Sequence, residues 1–289
     1  MKAGMCPAPW KTPWSAQLER QFNMREAFPD HVDYFARWRR ESDEARKALK
    51  PALDVPYGNQ EREKLDIFPG GRAGAVLVFI HGGYWRTMDK SDFSFLARPF
   101  TSRGVTVVMP NYPFCPAASI GEIVAATRRM LAWVVANIAP YSGDGKQVNV
   151  AGWSAGAHLA AMLLAGDAPE RARPRSVVAI SGIYDLRPLR HVHANEDLRL
   201  TEEAAVANSP ALLEPAHRAR LEIVVGERET DAMHEQARSL ANAWKSSFGG
   251  LSPKSIAGAH HYGVVSQVGD ESSELFRLVL DQLGAGVEP

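Results

Sequence analysis

The sequence predicts an α/β fold in which a mostly parallel central sheet carries helices on both faces. Short apolar runs alternate with helical patterns from Leu65 onward, and helices that cross between strands are typical of parallel sheets. Two glycine-containing motifs, at residues 81–85 and 152–156, directly follow apolar runs. We therefore expect both motifs at the carboxyl ends of strands, which is the edge where such sheets bind ligands.

Composition narrows the class of protein. The 289 residues include 33 Lys and Arg and 33 Asp and Glu, a formal net charge of zero, so we expect neither a nucleic acid nor a membrane as a partner. No apolar run approaches the roughly 20 residues that span a bilayer, and the N-terminus lacks the apolar core of a secretory signal. Cys6 and Cys115 form no disulfide framework or metal-site spacing. These features predict a cytoplasmic protein; they leave open whether it is a homodimer.

The first 50 residues are predicted to form an N-terminal helical segment ahead of a single domain at residues 51–289. Residues 33–49 have a helical pattern, with Phe35, Trp38 and Ala45 on one side. Such a segment can cap the mouth of a site or simply coat the core, and the sequence leaves both alternatives open.

Within the domain, strands and helices are predicted to alternate along the sequence. The predicted strands are residues 64–68, 75–80, 105–109, 148–151, 177–181, 221–225 and 254–256. The predicted helices between them are residues 91–103, 120–138, 155–165, 231–248 and 272–283. Residues 187–219 carry few strand signals, so we expect a partly helical excursion above the sheet.

Residues 152–156, Gly-Trp-Ser-Ala-Gly, match the pattern of a nucleophile elbow. They follow a predicted strand and open a predicted helix, which is the context this motif requires. The sharp turn holds Ser154 in a strained conformation, and any side chain at Gly152 or Gly156 would collide with neighbouring elements. The motif therefore predicts Ser154 as a nucleophile.

Residues 81–85, His-Gly-Gly-Tyr-Trp, are predicted to supply an oxyanion hole. Acyl transfer from a serine needs donors aimed at the oxygen that becomes negative, and a loop with Gly82 and Gly83 lets the backbone approach a substrate closely. We expect the N–H groups of Gly83 and Tyr84 to act together with that of Ala155. The alternative is a plain turn with a structural histidine.

The acid and the base are expected in two later loops, in the chain order nucleophile, acid, histidine. Glu229 lies just past Gly226 at the end of a late strand, and we favour it as the acid. Asp231 is the alternative, although the dipole of the next helix would equally favour a carboxylate there. After the last strand come two histidines, of which only one can face the serine; we choose His261.

The remaining histidines are predicted to be structural. His191, His193, His217 and His234 lack a strand-end context and are expected to be ordinary surface or partly buried residues. His158 lies on the elbow helix and is expected to pack internally. No histidine pair has zinc-ligand spacing with a carboxylate, so we expect neither a metal nor an organic cofactor.

With these residues in hand, the chain resembles the kynurenine formamidase (arylformamidase) group of the α/β-hydrolase superfamily. It is also similar to the hormone-sensitive-lipase-like carboxylesterases that carry His-Gly-Gly. The resemblance rests on stretches at residues 57–58, 65–68, 81–85, 152–156, 181–186, 208–210 and 261–262.

The resemblance has consequences for the site. The family histidine is followed by an aromatic residue, which matches His261 and Tyr262. The family acid is usually an aspartate, whereas the matching position here holds Glu229, and this departure leaves Asp231 open.

The resemblance also implies a substrate, an N-formyl aromatic amine such as N-formylkynurenine. The alternatives are a carboxylesterase acting on short-chain or aryl esters and, more remotely, a ligand-binding protein without turnover. His81, Trp85, Trp153 and Tyr184 are the predicted substrate pocket, where the three larger rings would stack on an aryl group. Packing inside the wall is their alternative role.

Overall fold

The computed structural model describes residues 13–71, 74–165 and 173–284. Its strands are β1 (Ala52–Pro56), β2 (Lys64–Phe68), β3 (Gly74–Ile80), β4 (Thr106–Pro110), β5 (Gly143–Trp153), β6 (Ser176–Ile180), β7 (Arg220–Gly226) and β8 (Lys254–Ile256). They form one eight-stranded sheet in the order β1-β2-β4-β3-β5-β6-β7-β8. Strands β3 to β8 pair in parallel, which confirms the predicted α/β fold.

One edge of the sheet departs from the prediction. β1 pairs antiparallel with β2, and β2 pairs antiparallel with β4. β1 was not predicted, because its short run includes Asp54 and Pro56 and is largely exposed to solvent. Such a strand carries little of the apolar signal that identifies the buried strands.

Helices cover the sheet. The α-helices are α1 (Ala16–Phe22), α2 (Met24–Ala27), α3 (His31–Leu49), α4 (Ala97–Thr101), α5 (Ile120–Asn137), α6 (Ala155–Met162), α7 (Asn195–Leu198), α8 (Glu202–Ala207), α9 (Asp231–Trp244), α10 (Gly263–Val268) and α11 (Glu274–Gln282). Short 3₁₀ helices lie at Lys90–Leu96, Ala139–Tyr141, Arg187–His191 and Pro210–Leu212.

The helix predicted at residues 91–103 is instead a 3₁₀ helix followed by α4. Pro99 lies in α4 and has no N–H to donate to the carbonyl four residues earlier, so one long α-helix would lack a hydrogen bond there. The excursion at residues 187–219 consists of short helical turns, as predicted.

The N-terminal segment has two parts. α3 packs on the 3₁₀ helix Lys90–Leu96, and Trp38 is fully buried, its indole N–H donating to Ser266 Oγ over 2.9 Å. α3 therefore coats the core, and its Phe35 reaches the cavity described below together with residues of α1 and α2. Residues 1–12, including Cys6, lie outside the described residues.

A buried ion cluster fixes α3 to the sheet. The carboxylate of Asp66 in β2 is fully buried and lies 2.5 Å from Arg46 Nη1 of α3 and 2.8 Å from Lys90 Nζ. Lys90 also contacts Asp54 at 2.8 Å, and the Asp54 N–H donates to Asp66. Because the charges of Asp66 and Lys90 are almost completely removed from water, each depends on its partners.

Replacing Asp66 should therefore destabilise the fold strongly. Asp66→Asn leaves the buried Lys90 and the half-buried Arg46 without their shared counter-charge, and we expect a loss of about 3–5 kcal/mol in the free energy of unfolding, measured by denaturant titration. The matched control is Glu235→Gln, which removes an exposed pair with Arg238 and should cost about 0–1 kcal/mol. Equal losses in both variants would contradict this assignment.

Candidate active site

The turn between β5 and α6 holds Ser154 in a strained conformation, with φ 56° and ψ −118°. A Cβ on Gly152 would lie 2.2 Å from the Gly156 carbonyl oxygen, and one on Gly156 would lie 2.0 Å from the Ile80 oxygen. Only glycine at both positions permits this close packing of α6 against the sheet. The turn has the geometry of a nucleophile elbow.

A chain of hydrogen bonds joins Ser154 to two residues from distant parts of the sequence. Ser154 Oγ lies 3.1 Å from His261 Nε2, and His261 Nδ1 lies 2.8 Å from Glu229 Oε2. The side chains of His261 and Glu229 are 3% and 0% exposed. Glu229 follows β7 and His261 follows β8, so three strand ends bring these groups to one edge of the sheet.

The carboxylate that faces the imidazole is that of Glu229. Burial raises the pKa of Glu229, but the charge of His261 and the hydrogen bonds from His261, Ser181 and the Gly226 N–H outweigh it, and the net pKa is lowered. Glu229 is therefore an ionised acceptor at neutral pH. Asp231, the alternative acid, lies exposed in the first turn of α9, away from the imidazole.

The loop after β3 has a backbone geometry that suits hydrogen-bond donation from its N–H groups to a ligand. Gly83 has φ 109°, and Tyr84 and Trp85 have φ 57° and 54°, so three successive residues are left-handed. A Cβ on Gly83 would lie 2.1 Å from the Thr87 oxygen, and one on Gly82 would lie 2.6 Å from the Trp153 ring. The loop therefore needs both glycines.

Three N–H groups beside Ser154 are available to a ligand. The hydrogen bonds among the described residues include no acceptor for the N–H groups of Gly83, Tyr84 or Ala155. Gly83, Tyr84 and Ser154 line the same cavity, and Ala155 directly follows the serine. Backbone donors held in this way cost little reorganisation when negative charge develops.

The four residues predicted as a substrate pocket lie elsewhere. The cavity lining described below does not include His81, Trp85, Trp153 or Tyr184, all of which are buried. Trp153 donates its indole N–H to the His261 carbonyl, and Trp85 donates to His158. The polar edges of both indoles are occupied within the protein, so these rings support the site from beneath.

Two histidines under the site are held neutral. His81 is stacked between Phe93 and Tyr112; its Nδ1 lies 2.7 Å from the Gly82 carbonyl oxygen and its Nε2 3.1 Å from Asn111 Oδ1, and the neutral ring donates to one of these two oxygens. His158 packs internally, as predicted, and its Nε2 donates to the Asn208 carbonyl. Burial lowers the pKa of each histidine to about 4. Their role is to fix the loop and the elbow helix.

A cavity of about 240 Å³ opens above Ser154 and His261. Its walls come from α1 to α3, from the loop after β3 and from the excursion above the sheet. Its other lining residues are Glu19, Phe22, Asn23, Met24, Arg25, Phe35, Gly83, Tyr84, Arg86, Thr87, Met88, Val192, His193, Ala194 and Tyr262. Apart from Gly83 and Tyr84, the sequence did not predict this lining, because short helices and loops leave no periodic signal.

The cavity carries charges of both signs. Glu19 is buried, accepts the His193 N–H at 2.9 Å and accepts from Asn23 at 3.1 Å. Arg25 is exposed and lies 5.8 Å from the centre of the Phe35 ring. Within the described part of the chain, no carboxylate lies at ion-pairing distance from Arg25. The wall therefore presents a fixed carboxylate and an unpaired guanidinium.

The described residues hold neither a metal site nor a membrane-spanning helix. In the three described stretches, no group of three or more His, Cys, Asp or Glu side chains is arranged to hold a metal ion. No described helix is both long enough and apolar enough to cross a membrane.

The parallel sheet and the serine elbow at its carboxyl edge define an α/β-hydrolase. The model of the family described as BD-FAE matches residues 65–215. A kynurenine formamidase from Danio rerio is 30% identical over 292 residues, covering 95% of this chain and 98% of the relative. The chain belongs to the kynurenine formamidase family, and it is a hydrolase.

Two other relatives extend the comparison. A crystal structure from Silicibacter sp. tm1040, provisionally named a thioesterase, is 33% identical with a TM-score of 0.80, covering 92% of this chain and 99% of its own. Esterase LipQ from Mycobacterium tuberculosis is 32% identical over 168 residues, covering 51% of this chain and 39% of its own. The formamidase similarity therefore extends over almost the whole chain, whereas the similarity to this esterase covers half.

The neutral histidines make stability depend on pH. Between the ordinary pKa of 6.5 and the lowered pKa of about 4, the unfolded chain binds more protons than the folded one, so stability falls as the pH falls through this window. Each histidine contributes at most about 3 kcal/mol to this loss. We expect denaturant titrations from pH 7 to pH 4.5 to show a steep loss, with a shallower slope in His158→Gln. Titrations at pH 7 to 8 are the control, and an unchanged slope in the variant would contradict the neutral state of His158.

Proposed function

We propose that this chain is a serine hydrolase of the arylformamidase type, which converts N-formylkynurenine to kynurenine and formate. The observation that carries the proposal is the hydrogen-bonded chain Ser154–His261–Glu229 at the floor of the cavity. The full-length similarity to kynurenine formamidase supports this substrate over others.

In the first half of the reaction, Ser154 Oγ attacks the formyl carbon while His261 Nε2 accepts the hydroxyl proton. Glu229 accepts the hydrogen bond from His261 Nδ1–H and stabilises the imidazolium that forms. The lowered pKa of Glu229 keeps this carboxylate charged at neutral pH.

The negative oxygen of the tetrahedral intermediate accepts hydrogen bonds from the N–H groups of Gly83, Tyr84 and Ala155. These donors have no protein partner among the described residues, so no hydrogen bond within the protein is broken when the oxyanion binds. Losing one such donor typically costs about 100- to 1,000-fold in rate.

In the second half, the intermediate expels the aryl amine, which takes the proton from His261. A water then gives its proton to His261 and attacks the formyl–serine ester, and formate leaves as Ser154 regains its proton. This scheme uses no metal or organic cofactor.

The cavity wall supports a substrate that is both aromatic and zwitterionic. Phe22, Phe35 and Tyr262 offer apolar surface, while Glu19 is placed to bind an ammonium group and Arg25 a carboxylate. N-formylkynurenine carries an aryl formamide and a free amino-acid group, so its two parts match the two kinds of wall.

The second candidate function is a carboxylesterase for short-chain or aryl esters, which the similarity to esterase LipQ favours. Ester and formamide cleavage use the same nucleophile, base and oxyanion donors. The preference for one substrate class must therefore come from contacts with the cavity wall. A ligand-binding protein without turnover is the remote alternative, and the intact hydrogen-bonded chain argues against it. We further propose a cytoplasmic location and small molecules as the only substrates.

Removing the nucleophile tests the proposal. We expect Ser154→Ala to lower kcat for N-formylkynurenine by about 10⁶-fold, the loss typical of a deleted catalytic serine. Its melting temperature should stay at or above that of the wild type, because the variant keeps the fold. A folded variant with wild-type turnover would rule out the scheme.

Arg25 tests the substrate. Arg25→Ala removes the unpaired cation from the wall, and we expect KM for N-formylkynurenine to rise about tenfold, equivalent to about 1.4 kcal/mol. KM for p-nitrophenyl acetate, which has no carboxylate, should not change. Arg20→Ala is the matched control, because Arg20 is an exposed α1 residue that does not line the cavity. Equal effects on both substrates would favour the esterase.

A further inference from the structure

Ser181 belongs to a motif, residues 181–186, to which the proposed mechanism gives no task. It directly follows β6, is buried, and donates its N–H to the Val224 carbonyl of β7 over 2.7 Å. β7 leads through Gly226 to Glu229, so this backbone bond ties Ser181 to the strand that carries the acid.

The Ser181 hydroxyl contacts the acid directly. Ser181 Oγ donates to Glu229 Oε1, and the Gly226 N–H donates to the same oxygen over 3.0 Å. The other oxygen, Oε2, faces His261 Nδ1 at 2.8 Å. One carboxylate oxygen is thus anchored by two donors, and the second is left for the imidazole.

A glutamate needs such anchoring. Its carboxylate lies at the end of three rotatable bonds, and each unfixed bond lets the carboxylate turn away from the histidine. The two donors to Oε1 select one orientation, and both lie on the sheet edge that also carries His261.

The backbone at Ser181 indicates that its hydroxyl is needed. Ser181 has φ 52°, a left-handed conformation that glycine adopts readily and that costs energy for other residues. Glycine at this position would relieve the strain, so the presence of a serine indicates that its side chain has a role. Backbone strain of this kind clusters at functional sites.

We propose that Ser181 is a positioning residue, whose hydroxyl fixes the Glu229 carboxylate so that Oε2 holds His261 in line with Ser154. The proposal rests on the proposed function, because it assigns a task within the same hydrogen-bonded chain. Ser181 is not among the residues that line the cavity, and its hydroxyl contacts Glu229 and not Ser154 or His261.

Two substitutions separate the hydroxyl from the backbone strain. Ser181→Gly removes the hydroxyl and relieves the strain, so we expect a folded variant whose kcat falls about 10- to 100-fold with KM unchanged. Ser181→Thr keeps a hydroxyl but adds a β-branched side chain at positive φ, so we expect it to be less stable than Ser181→Gly yet more active. Wild-type kcat in Ser181→Gly, or activity that follows the melting temperature across the two variants, would overturn the proposal. If the threonine variant does not fold, the glycine variant decides alone.

A double-mutant cycle tests whether Ser181 acts through Glu229. In a Glu229→Gln background, Ser181→Gly should cost no further activity, because the group that it positions is already gone. The same 10- to 100-fold loss in that background would mean that Ser181 acts elsewhere. Assays with both N-formylkynurenine and p-nitrophenyl acetate distinguish a failure of the Ser181 proposal from a failure of the proposed function. Full activity in Glu229→Gln with either substrate rejects the proposed function, whereas an inactive Glu229→Gln beside a fully active Ser181→Gly rejects only the role of Ser181.

Discussion

The close approach of α6 to the end of β3 is the constraint on which the rest of the site depends. Gly156 lies so near the Ile80 carbonyl that a single methyl group would lie 2.0 Å from its oxygen. This contact brings the serine turn beside the loop that follows Ile80, so the proposed nucleophile and the proposed N–H donors of Gly83 and Tyr84 come from two neighbouring strands. Residues far apart in sequence thereby share one rigid frame, as preorganised catalysis requires.

Beneath that frame lies a polar layer that remains uncharged. His81 and His158 are fully buried, and burial lowers the pKa of each to about 4, so they act as hydrogen-bonding spacers rather than as proton carriers. Among the described residues, Glu229 is the only ionised side chain that is hydrogen-bonded to His261. The two histidines of this layer therefore add no charge next to the carboxylate that the proposed reaction uses.

The sequence predicted the sheet well, because parallel strands buried on both faces leave continuous apolar runs. The predicted bounds of β2 and β8 are those of the structure, and the motifs around Gly82 and Ser154 lie at strand ends as expected. The acid was ambiguous in sequence, since Glu229 and Asp231 lie two residues apart. Burial distinguishes them: one carboxylate faces an imidazole, and the other faces water.

The walls of the site could not be predicted in the same way. Aromatic residues next to the motifs, such as Trp85 and Trp153, were expected in the pocket, but adjacency in a strand-end loop does not determine which way a ring points. The real lining comes largely from helices too short to carry a period and from a segment that precedes the sheet. Contacts of that kind depend on tertiary packing, which local patterns do not encode.

The wall formed by α1 and α2 contributes no group to the hydrogen-bonded chain at the cavity floor. In the proposed reaction, substrate recognition and bond cleavage are therefore separable along the chain: α1 and α2 contribute to the cavity wall, and the ends of β5, β7 and β8 carry the reacting groups. During evolution, substitutions in α1 and α2 can therefore change which substrates are bound, while the residues of the hydrogen-bonded chain at the cavity floor stay the same.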